Sequence, residues 1–168
     1  FLAGLLTRGT PTRSADDIAR EIDAIAGSLD GFSGRNTIGL RGDFPARYLD
    51  RGLALFADCL QNPVFAQAEI KRERELILEE IASRDDQLAG LAFDLFAATL
   101  YDSHPYRRSV LGTRKSVAGF KRKQLVQQHE RVFGPARLVI SVVGDVDGQA
   151  VLQQVRALFG NRQRSEAE

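Results

Sequence analysis

The chain contains no methionine, one cysteine and only two histidines in 168 residues. Each scarcity closes a route. Cys59 alone cannot form an internal disulfide, and within ALFADCL it is expected as a small buried hydrophobe rather than a nucleophile. His104 and His129 fall in different predicted elements, a loop before Pro105 and a helix among polar residues. No HExxH, HxxEH or CxxC pair occurs, so no element brings two imidazoles or two thiols within one helical turn. A GxSxG elbow and a glycine-rich phosphate loop are also missing. The charge is nearly balanced, 23 basic against 22 acidic residues for a net +1, which gives no general attraction to nucleic acid or an anionic membrane. No apolar run is long enough for a membrane span, and FLAGLL lacks the basic flank of a secretory signal. No methionine precedes Phe1, so the start is expected to be missing. A soluble domain is expected, with its compartment open.

Helical spacing dominates what is present. Gly9 and Pro11 mark a loop, and Ser14 with Asp17 predicts a capped helix that Gly27 ends. SLDGFSGRNTIGLRGDFP reads as two short antiparallel strands joined near residues 34–36. Further helices are expected over residues 45–60 and 67–84, and over LAGLAFDLFAATLY, whose apolar content predicts burial over much of its circumference. One helix is expected over residues 116–133. RLVISVVGDV is the clearest strand, expected in a central position. A final helix covers residues 148–159. The elements together imply an α/β sandwich of sheet and helices, one strand short if the start is missing.

The acidic helix KRERELILEEI carries the only spacing that hints at chemistry. Glu73 and Glu80 lie two turns apart and share a face, with Glu80 near a partly buried seam. Spacing alone is also served by a solvated face laced with pairs such as Lys71 and Glu75. Arg107 and Arg108 read as solvated.

The ordered set RGT, SADDIAREIDAIAGSLDGFSGRNT, ALFADCLQNPVF, ERELILEEI, SHPYRRSVLGT and HERVFGPARLVISVVGDV resembles the pitrilysin, or insulinase-like, zinc peptidases over nearly the whole chain. That family includes mitochondrial processing peptidase and the bc1 complex core subunits. The resemblance implies an α/β (α+β) domain over residues 1–160, an antiparallel or mixed sheet packed against several helices. Residues 161–168 would be a polar tail or a linker to a second domain. Family members carry an inverted HxxEH motif just before a segment like LLTRGT. By that resemblance Ala3 stands where the water-activating glutamate belongs, and Gly4 where the second histidine ligand belongs. Glu80 holds the distal glutamate ligand position as a vestige, and Glu73 the additional acidic position. Asp30, Gly31, Phe32 and Ser33 correspond to the strand edge beside which peptide runs, although Phe32 on residue type alone is expected in the core. Zinc serves the active members; no cofactor is expected here, because alanine cannot take a proton and glycine cannot bind metal.

The resulting expectation is a catalytically silent member acting as partner or peptide-holding subunit of a processing peptidase. Its partner would be a second α/β domain or a homologous chain bearing the zinc motif, with an extended peptide as possible ligand and no nucleic acid. Two alternatives stand beside it. One is an active zinc metalloendopeptidase whose motif lies outside the visible register, and the other a purely structural subunit like the bc1 core proteins.

Overall fold

A computed structural model describes residues 1–134 and 138–160. In chain order the elements are α1 (Leu2–Leu5), α2 (Ala15–Ala24), β1 (Ser28–Ser33), β2 (Ile38–Asp43), α3 (Leu49–Gln61), α4 (Gln67–Asp85), α5 (Leu88–Leu100), α6 (Arg114–Gly119), α7 (Arg122–Val132) and α8 (Gly148–Phe159). β1 and β2 pair antiparallel with Ser28 opposite Asp43 and Ser33 opposite Ile38. The hairpin packs with several helices, giving the mixed α/β architecture that the sequence implies.

Local chemistry explains the boundaries. Ser14 Oγ accepts the Asp17 amide at 3.1 Å, and the Asp17 carboxylate accepts the Ser14 amide at 3.0 Å. This reciprocal cap satisfies two amides that α2 would otherwise leave bare. Ile18 sits on the buried face. The chain leaves α2 through Ala26 at φ +50°, while Gly27 N bonds back to Ile22 O at 3.1 Å. α4 has a narrow stripe, Ile70, Ile77 and Ile81, as its buried apolar residues. The remaining faces are free to carry charge, and Lys71 reaches Glu75 at 4.0 Å on the exposed side.

The main core joins Leu2, Leu5 and Leu6 of the first turns to Ile18, Leu29, Leu40, Leu55, Leu60, Ile70 and Leu125. Cys59 lies in it fully buried. Thr10 and Arg13 pin the following loop, donating to Asp58 at 2.9 and 2.7 Å, while Arg13 also reaches Glu21 at 2.9 Å. Gly9 is needed here because its φ of +120° lies where a Cβ would be strained. A smaller cluster of Ile77, Ile81 and Val117 holds α4 to α6.

Several expectations are corrected. The single helix over residues 116–133 is two, broken at Phe120, whose backbone is extended. Arg74 donates to Val117 O and Phe120 O at 3.3 and 2.7 Å, satisfying carbonyls freed by the break. Thr113 and Ser116 cap α6 reciprocally. α5 is not buried over most of its circumference: Leu88, Phe93, Leu95, Phe96 and Leu100 are exposed, and Ala97 is its one buried residue. The helix is held by its polar side instead, through a two-pronged bond from Arg84 to Asp94 at 2.9 Å.

Residues 138–143 of the expected central strand pair with no strand among the described residues. His129 is not among polar neighbours. It is buried between the rings of Phe65 and Phe133, with Nε2 2.8 Å from Leu60 O. Residues 161–168, expected as a polar tail, lie outside the described residues.

Candidate functional site

The candidate site lies where α1 meets β1 and α4. Ala3 is buried, and Leu2, Leu5 and Leu6 anchor this short helix in the core. The backbones of α1 and β1 touch: a Cβ at Gly31 would collide with Ala3 O, so only glycine lets the strand pass so close. α4 crosses the other side and brings its acids to α1. A Cβ at Gly4 would run into the Glu73 carboxylate. The space beside that helix position is therefore filled by an acid from α4.

Glu73 is half-buried, whereas Glu80 is exposed rather than set in the partly buried seam that its neighbours suggest. The Glu73 carboxylate lies against α1 beside Gly4, and the seven-residue spacing puts Glu80 on the same side of α4. The Phe1 ring packs edge-on against Phe120, with centroids 5.9 Å apart, under the Arg74 guanidinium.

The donor set can be tested against zinc. Zinc sites combine imidazole, thiolate and carboxylate ligands in a near-tetrahedral shell, and hydrolysis needs a base beside the bound water. Here Ala3 and Gly4 of α1 offer a methyl group and a hydrogen, α4 offers two carboxylates, and among the described residues no imidazole is near. His104 Nδ1 accepts the Tyr106 amide at 3.2 Å in a surface turn, and His129 is tied to Leu60. Among the described residues no group of three or more His, Cys, Asp or Glu side chains could hold a metal ion. The residues present do not fit zinc.

The strand edge beside this corner is open. Among the described residues β1 pairs only with β2, leaving its other edge unpaired. Asp30 and Ser33 are exposed, and Gly31 is the point of contact with α1. Phe32 is 46% exposed and does not enter the core. Its ring lies across the strand over Gly39, where a Cβ would come within 2.7 Å. A glycine opposite an aromatic offers a flat surface for the ring, which is why this apolar side chain settles on the sheet.

Sequence spacing missed the clasp that fixes this hairpin. At its tip Arg35 donates to Tyr106 O and Asn36 to the Tyr106 hydroxyl, each at 2.5 Å. The Arg35 guanidinium also lies 5.5 Å from the Tyr106 ring centre, and Tyr106 stacks edge-on against Tyr101 and His104. The partners are 71 and 70 residues apart, so nothing in local periodicity announces them.

Two family descriptions match the chain: Insulinase (Peptidase family M16) over residues 1–114, and Peptidase M16 inactive domain over residues 119–168. An uncharacterised zinc protease of Mycobacterium leprae is 38% identical over 162 residues, 96% of this chain and 36% of that protein. The beta subunit of mitochondrial-processing peptidase from Mus musculus is 29% identical over 161 residues, 96% of this chain and 33% of that protein. The fold matches a protease from Helicobacter pylori with a TM-score of 0.88 at 22% identity, covering 99% of this chain and 40% of that one. A peptidase M16 inactive domain from Pseudomonas fluorescens matches at 0.85 and 18% identity, over 99% of this chain and 42% of that one. The chain thus spans well under half the length of each of these relatives.

Proposed function

The chain belongs to the insulinase family of M16 peptidases, and from that premise we propose that it serves as a non-catalytic half that holds peptide for a zinc-bearing partner. The carrying observation is the corner between α1 and α4. Ala3 offers no base, Gly4 offers no ligand, and the Glu73 carboxylate fills the space beside Gly4. In this reading Gly4 is a lost ligand position, Glu80 a vestigial one, and Glu73 the acid that remains beside them.

Peptide holding rests on the unpaired edge of β1. An extended peptide can add to such an edge through main-chain hydrogen bonds, which need no metal. Asp30, Gly31, Phe32 and Ser33 would form this track, with α1 beneath Gly31 and the Arg35–Tyr106 clasp holding the hairpin end. The exposed Asp30 carboxylate would disfavour acidic side chains opposite it. The partner would be a second α/β domain or a homologous chain that carries the HxxEH motif. The match of the chain's two parts to a peptidase description and an inactive-domain description supports such a pairing.

The test is metal content by elemental analysis, combined with peptide hydrolysis by this chain alone and with a zinc-motif homologue. The expected result is substoichiometric zinc and no hydrolysis alone, with cleavage only in the mixed sample. Glu80→Gln should leave that cleavage unchanged. Stoichiometric zinc with independent cleavage would establish instead the active-enzyme reading, with ligands outside the visible register. A mixed complex that forms but gains no peptide affinity from this chain would favour the purely structural role.

A further inference from the structure

The near-balance of charge over the whole chain hides a local asymmetry. Between Ser103 and His129 stand seven basic residues and no acidic one, although the chain's net charge is only +1. They come as doublets seven residues apart, Arg107–Arg108, Arg114–Lys115 and Lys121–Arg122, with Lys123 after the last. Folding turns this spacing into a surface. Leu111 packs on the cluster of Ile77, Ile81 and Val117, and Leu125 is buried in the main core. These anchors alternate with the doublets, and all seven basic residues are exposed. The length of α6 sets the second and third doublets on the order of 10 Å apart. That is close to the screening length of about 8 Å at physiological salt, so their fields add. Arg35 of the hairpin tip joins the first doublet, donating to Arg108 O at 3.4 Å.

Two features separate these charges from the needs of the fold. Among the described residues Arg107, Arg108, Lys115, Lys121, Arg122 and Lys123 form no ion pair. Arg107 donates to Asp102 O, and Arg122 to Val64 O and Phe65 O at 2.9 and 3.2 Å. A carbonyl holds a guanidinium in place without cancelling its charge, and each guanidinium keeps further N–H groups for a ligand. The second feature is helical. The first turns of α6 and α7 hold Arg114, Lys115, Arg122 and Lys123 and no acid. Cations are disfavoured at that end of a helix, so helix stability does not account for them.

Carboxylates suit this surface best. Guanidinium forks fixed by carbonyls match discrete, planar carboxylates. A nucleic-acid strand needs open aromatic faces for its bases. Here Tyr106 is enclosed by Tyr101, His104 and Arg35, and Phe120 packs on Phe1. Stable membrane attachment adds an apolar anchor to the cations, and Val110 is the one large apolar side chain exposed in this stretch. We propose that the surface from Arg107 to Lys123 docks an acidic polypeptide segment of a partner protein, whose grouped carboxylates meet the three doublets. The β1 edge would bind main chain, whereas this surface binds side-chain charge, and neither needs the other.

The probe is a labelled peptide with capped ends, EEGSGSGEEGSGSGEE, titrated into the purified chain and followed by fluorescence anisotropy. Binding should saturate, and raising salt from about 20 to about 150 mM should weaken it roughly tenfold. Arg108→Glu, Lys115→Glu and Lys123→Glu combined should weaken it by roughly tenfold or more. Circular dichroism should match the parent, because these side chains are exposed and make no bond among the described residues. The neutral set Arg108→Gln, Lys115→Gln and Lys123→Gln should give a smaller loss, and it carries the test if charge reversal disturbs folding. The same reversal at the exposed Arg47, Arg51 and Arg72 should change affinity by less than about twofold. No binding, equal binding of the peptide with glutamine for glutamate, or an equal loss from the control set would overturn the proposal. Tighter binding of a uridine oligomer of equal charge, or of phosphatidylserine vesicles, would assign the surface to nucleic acid or membrane and overturn it as well.

Discussion

Ala26 ends α2 at φ +50°, a conformation in which its Cβ crowds the backbone. Glycine adopts that geometry without the clash, at the expense of a more flexible unfolded chain. Ala26→Gly should therefore stabilise the domain by about 0.5–1 kcal/mol, read as a higher urea midpoint with an unchanged slope. Cys59 makes a different point. Burial, aided by the nearby Asp58 charge, pushes its thiol up to about 12. A thiol held protonated and covered is a poor nucleophile. Labelling by a thiol reagent at pH 8 should be slow in the native chain and complete in urea, and fast native labelling would contradict this packing. Residue types alone were sufficient to read Cys59 as core. They were insufficient for His129, because an imidazole among glutamines and charges in sequence gives no sign that Phe65, Phe133 and Leu60 will close around it.

Elements were legible where a local signal sets both ends. α2 has its reciprocal cap, and the hairpin its glycine-rich turn. The helix over residues 116–133 was misread as continuous because its period survives the break at Phe120. The break is enforced from outside, by Arg74 of α4 gathering the freed carbonyls. α5 shows the converse. Its composition implies burial, yet its attachment is the Arg84–Asp94 pair. Hydrogen bonding to Arg84 holds the Asp94 carboxyl below the ordinary carboxylate range; burial opposes it, and the charges of Arg84 and Arg35 add to it more weakly. A carboxylate lowered on folding stabilises above its unfolded value near 3.8 and loses that contribution as pH falls through the lower folded value. Asp94→Asn should lower the unfolding free energy at pH 7 by about 0.2–1 kcal/mol, read as a lower urea midpoint at unchanged slope, given the partial exposure of both partners. The difference from the parent chain should vanish as the pH drops below the range where Asp94 ionises.

For the whole molecule, the notable feature is how much apolar surface stays outside. Phe93, Leu95 and Phe96 are 73%, 69% and 61% exposed, on a helix whose inner side is Asp94 and Ala97. Patches of this kind mark contact surfaces more often than random exposure does. Phe93→Lys combined with Leu95→Lys should leave stability within about 0.5 kcal/mol and reduce binding of a hydrophobic dye. A large loss of stability would mean that these rings are core after all. No helix of the described residues is long and apolar enough to cross a membrane.

The sequence by itself determined the family, the positions of most helices, and the absence of a base and an imidazole at residues 3 and 4. These follow from which side chains exist and how they repeat along the chain. Tertiary structure decided the rest, because it depends on what the fold brings together. The Glu73 carboxylate fills the space beside Gly4, where a Cβ would collide with it. Glu80 is left in solvent, Phe32 rests on Gly39 rather than in the core, and residues 138–143 keep strand chemistry with no strand partner among the described residues. Pairing needs a second backbone within hydrogen-bond reach, and a strand's own sequence cannot supply one.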